Sequence, residues 1–74
     1  MKIVRRDDGC LWATEGSCRN DYNLTGIAQD VKAKATPEDE IEFAILANFD
    51  SGCVEGDILK MKEEVLNELG RIAT

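Results

Sequence analysis

The chain has 74 residues, 43% of them hydrophobic and 32% charged, with a formal net charge of −6 and no histidine. This length holds one small domain spanning residues 1–74 and excludes two, and the composition is that of a folded chain rather than a disordered one. The acidic balance counts against direct contact with nucleic acid or an anionic membrane, both of which need clustered Lys and Arg.

The charge is uneven along the chain. Residues 1–35 are near neutral, whereas residues 36–74 hold ten acids and three bases, and no base lies between Ala35 and Leu59. No apolar run approaches the roughly 20 residues that cross a bilayer. The basic residues of Met1–Arg6 are not followed by the apolar stretch of a secretory leader. Cys10, Cys18 and Cys53 form an odd set without a CxxC pair, so free, packed thiols in a reducing, cytoplasmic setting are expected. In that setting the glycosylation tripeptide Asn23-Leu24-Thr25 carries no meaning.

The first predicted element is a hairpin. Lys2–Arg6 and Cys10–Thr14 supply strand-favouring Ile3, Val4 and Trp12, and Asp7-Asp8-Gly9 between them is a strong turn signal, because glycine tolerates the positive φ such turns need. Trp12 fits a core position better than an exposed anchor. Residues 15–23 are rich in turn formers and read as a connection.

Residues 24–35 admit two readings. Leu24, Ile27, Ala28, Val31 and Ala35 make a helical stripe, whereas Ile27, Gln29, Val31, Ala33 and Ala35 line one face of a strand. The next segment favours the strand. Ile41, Phe43, Ile45, Ala47 and Phe49 occupy every odd position over eleven residues, a period of two. With Pro37-Glu38-Asp39 as a hairpin loop, Ala35 faces Ile41, Lys34 faces Glu42, Ala33 faces Phe43 and Val31 faces Ile45.

From Asp57, placed to cap a helix, the period becomes helical: Ile58, Met61, Val65, Leu69 and Ile72 form a stripe that Leu59 and Leu66 widen. The expected fold is therefore α+β: a small antiparallel sheet of two hairpins, covered on one face by a C-terminal amphipathic helix.

The stretch NFDSGCVEGD, Asn48–Asp57, is the segment most suggestive of chemistry. As a calcium loop counted from Asn48 it has Gly52 at position 5 and Leu59 at position 12, where ligands are required. A reactive Cys53 at a helix start would be opposed by Asp50, Glu55 and Asp57 and would lack a histidine base. Zinc is disfavoured by cysteines separated by at least seven residues. The expected reading is a turn with a packed cysteine, and no cofactor, metal or catalytic residues are assigned.

Without histidine, a nucleophile motif or a phosphate-cradling glycine loop, a binding protein is expected rather than an enzyme. The candidate surface is acidic. Glu38, Asp39, Glu40, Glu42 and Asp50 form part of a run without a compensating base, with Leu46 as apolar anchor. Such a surface imitates phosphate spacing and suits a basic protein partner, in particular a nucleic-acid-binding complex. Size and charge match, as a class, phage anti-defence inhibitors such as anti-CRISPR proteins, and immunity proteins or antitoxins. The competing expectation is a homodimer or structural module joined through Leu59 and Leu66, with the acids serving only solubility.

Overall fold

The computed structural model describes residues 1–50 and 52–73. Strands β1 (Lys2–Arg5) and β2 (Leu11–Thr14) pair antiparallel, with Ile3 opposite Ala13 and Val4 opposite Trp12. The turn between them forms where the Asp-Gly signal places it. Gly9 takes a φ of +82° and donates to Arg6 O at 2.9 Å, and the Asp8 carboxylate accepts from the Cys10 amide at 2.8 Å. A short β3 (Tyr22–Asn23) pairs with β2 on its other side, giving the order β1-β2-β3.

The second hairpin does not form. Residues 24–46 hold two helices instead, α1 (Leu24–Ala33) and α2 (Glu38–Leu46), followed by α3 (Glu55–Ala73). Local chemistry explains both. Asn23 caps α1, its side chain accepting from the Gly26 amide at 2.9 Å. The tripeptide that matched a sequon is thus a helix start, and Thr25 inside it is buried. At the other end Ala35 takes a left-handed φ of 50°, and the Thr36 amide reaches back to Val31 O at 3.4 Å, the 6→1 bond of a Schellman ending.

In α2 the proline loop is a helix start. Pro37 sits at the N-cap, and Glu38, Asp39 and Glu40 occupy the first turn, where the helix dipole favours negative charge. The odd-position pattern misleads because Ile41 and Ile45 also stand one helical turn apart. Both turn inward, Ile45 fully buried, while Phe43 between them is thrown to the opposite side.

The interior is built from Leu11 and Ala13 of β2, Leu24, Ile27, Ala28 and Val31 of α1, Ile45 of α2, Cys53, and Met61 and Val65 of α3. The sheet is therefore not covered by the C-terminal helix alone. α1 packs against both β2 and α3 and carries much of the core. The α+β class holds, with one three-stranded sheet and three helices among the described residues. α3 starts two residues before Asp57, so Asp57 lies in its first turn and is no cap. Its carboxylate instead accepts from the amide and hydroxyl of Ser17 at 2.9 and 2.8 Å, and those two donors lower its pKa. Among the described residues, no helix is long and apolar enough to cross a membrane.

Candidate functional site

Two groups of carboxylates have opposite surroundings. Glu68 of α3 is 3% exposed. It accepts from Arg5 of β1 at 2.7 Å, from both Nε and an Nη of Arg71 at 3.1 and 3.0 Å, and from the Thr25 hydroxyl of α1 at 2.7 Å. The same Thr25 oxygen accepts from the Leu11 amide at 2.7 Å. One polar line thus runs from β2 through α1 to α3. Arg71 first, then Arg5, hold the Glu68 carboxyl far below the usual carboxylate range, against the opposing effect of burial. The cost of burying this charge is met by saturated hydrogen bonding, which makes Glu68 a fold residue and not a reagent.

The first-turn acids of α2 have no such partners among the described residues. The side chains of Glu38, Asp39 and Glu40 are exposed and make no hydrogen bond or ion pair among the described residues. Glu42 is tied to Lys62 of α3 at 2.7 Å. Phe43 is 80% exposed at the solvent pole of the helix. On an α-helix the positions three and four residues away flank a given side chain, so Asp39, Glu40 and Leu46 surround Phe43. A groove of about 380 Å³ opens beside it, lined by Thr36, Asp39, Glu40, Phe43 and Ala44.

The sequence-predicted surface is therefore gathered in part. Glu38, Asp39, Glu40, Glu42 and Leu46 all lie on α2, with Leu46 half-buried. Asp50 does not join them. It accepts from the Tyr22 hydroxyl at 2.8 Å and the Gly52 amide at 2.8 Å. Phe49 meets the Tyr22 ring edge-on with centroids 5.1 Å apart. Burial, and then the bond to Asp50, raise the Tyr22 phenol pKa. Asp50 is a docking point for its own turn. Phe43, which the strand reading turned inward, is the missed residue. The signal was available: acids three and four positions before an aromatic residue, directly after a proline.

The 48–57 stretch is likewise a turn held from outside, with Ser51 lying outside the described residues. Cys53 is buried and joined to Cys18 by a disulfide, with the Cα atoms 4.4 Å apart. Ser17 reinforces the junction by accepting from the Val54 amide at 2.7 Å. This corrects the expectation of three free thiols. Cys10 alone is free, and half-buried. A disulfide weighs against a reducing compartment. Among the described residues, no three His, Cys, Asp or Glu side chains converge to hold a metal. Trp12 lies half-buried on the sheet, with the Arg6 guanidinium 4.4 Å above its ring and Arg6 also paired with Asp21.

No protein-family model matches the chain, and no curated protein or solved structure matches it.

Proposed function

We propose that the protein is a small acidic inhibitor that acts by binding, without catalysis, and docks the outer face of α2 on a basic partner. The class of partner is a nucleic-acid-handling protein or complex, whose cationic cleft the acids occupy in place of phosphates. One observation carries the reading: α2 places Asp39 and Glu40 beside an exposed Phe43, with Glu38 in the same first turn, and none of the three acids is neutralised by a base among the described residues. An apolar centre with a charged rim is the anatomy of a protein interface. Soluble anti-defence, anti-CRISPR, immunity and antitoxin proteins are the classes that share this chemistry. A cytoplasmic location follows from the partner class alone, and the Cys18–Cys53 disulfide opposes it.

Affinity capture from a lysate of the source organism or its host, with the native chain and a Glu38→Lys/Asp39→Lys/Glu40→Lys variant compared side by side, tests the reading. The expected outcome is a basic nucleic-acid-binding protein that the native chain retains, that high salt releases, and that the variant does not retain. Equal recovery on both chains rejects α2 as the surface.

A second reading has its own observation. Leu59 and Leu66 of α3 are 47% and 40% exposed and lie two turns apart on one helix face. A homodimer through that face would bury them. Light scattering at micromolar concentrations separates the two, because the inhibitor reading expects a monomer.

A further inference from the structure

We infer that the groove beside Phe43 is a receptor for one arginine side chain of the basic partner. This rests on the docking reading above and gives it a chemical address. The groove, of about 380 Å³, is lined by Thr36, Asp39, Glu40, Phe43 and Ala44, so two acidic residues, one aromatic residue and two small residues meet around it. Each kind matches one part of an arginine. The guanidinium offers five donors in a planar fork to two carboxylates on adjacent residues. Its plane stacks on an aromatic face, and the methylene stem lies along apolar surface. The Thr36 hydroxyl already donates to Val31 O at 3.1 Å, so its oxygen can serve a further partner only as an acceptor. The site thus presents acceptors and an aromatic face, and no cation.

Lysine fits less well. Its ammonium is a strongly hydrated point charge that cannot span two carboxylates and stack at once. A second copy of this chain fits poorly too. Each copy carries −6, and of the four arginines Arg5, Arg6 and Arg71 are already held in ion pairs with Glu68 or Asp21. The charge complement of the groove is a cation from elsewhere.

The test is a titration of the ¹⁵N-labelled protein with hexaarginine and, separately, hexalysine, followed by amide shifts. The inference expects the largest shifts at Thr36, Asp39, Glu40, Phe43 and Ala44, tighter binding of hexaarginine than hexalysine, and an affinity for hexaarginine reduced about tenfold in Phe43→Ala. Phe43→Leu keeps apolar area without the aromatic face and should lose most of the preference for arginine. Both variants alter an exposed side chain, so the fold is retained, and the unperturbed amides of α3 report on that directly. Equal affinity for the two peptides, shifts spread over Glu55, Asp57 and Glu63 as well, and no effect of Phe43→Ala would overturn the groove while leaving the acidic docking reading standing. Failure of both peptides to bind at low salt overturns both.

Discussion

Glu68 and the acids of α2 carry the same functional group on the same kind of element, and they do opposite things. Glu68 is enclosed by Arg5, Arg71 and Thr25 and joins β1, α1 and α3. The side chains of Glu38, Asp39 and Glu40 bond to nothing among the described residues, and Asp39 and Glu40 flank an exposed phenylalanine. A carboxylate that is buried must be paired to persist, whereas one left unpaired on the surface costs the fold little and remains available to a partner. Environment, and not residue type, assigns the role.

The strongest way to sharpen this contrast is to remove Glu68. Glu68→Ala leaves two guanidiniums facing each other and the Thr25 hydroxyl without its acceptor. We expect a loss of about 3 kcal/mol, read as a lower urea midpoint at unchanged slope. Reduction of the disulfide, or Cys18→Ser with Cys53→Ser, should cost about 3 kcal/mol because it releases the chain closed between those residues. Amide exchange should then accelerate more in α2, which has Ile45 as its one buried residue, than in α3.

The acid limb of the stability curve divides the two groups next. The folded-state pKa of Glu68 is depressed, so its contribution is complete above about pH 5 and is lost as pH falls below the ordinary glutamate range. Glu68→Gln should flatten that limb between about pH 5 and pH 3, and urea unfolding across the interval measures it. Replacing the backbone strain at the end of α1 by Ala35→Gly should stabilise by about 1 kcal/mol, since glycine adopts the left-handed conformation freely. The smallest effect belongs to Glu38→Gln/Asp39→Asn/Glu40→Gln. The loss of favourable dipole contact and the relief of mutual repulsion oppose each other, and stability should change by less than about 1 kcal/mol. Thermal unfolding of the triple variant checks it.

How much of this was legible in the sequence differs by element. The first turn was, because Asp8-Gly9 specifies its own conformation locally. The C-terminal helix was, because its stripe runs over several turns and admits no strand alternative. α2 was not, because Ile41 and Ile45 satisfy periods of two and of 3.6 together, and the proline before them fits a hairpin loop as readily as a helix start. The candidate site followed the same division. Charge alone singled out the acids of α2 as candidates, but the wrong period turns Phe43 inward, and Asp50 is grouped by sequence with residues from which the fold separates it. Glu68 offered only the local pair with Arg71 three residues on, since its other partners Arg5 and Thr25 lie 63 and 43 residues away. The Cys18–Cys53 pairing is equally long in range, and an odd cysteine count conceals it.

Our proposal is that the acids of α2 serve a partner while Glu68 serves the fold. Its most direct test measures two quantities on the same two variants: the urea midpoint, and the association rate with the captured basic partner as a function of salt. A crossed result is expected. Glu68→Gln lowers the midpoint and leaves the association rate of the folded fraction unchanged, whereas Glu38→Gln/Asp39→Asn/Glu40→Gln keeps the midpoint and slows association with a shallower salt dependence. An α2 variant that associates as fast as the native chain would contradict it.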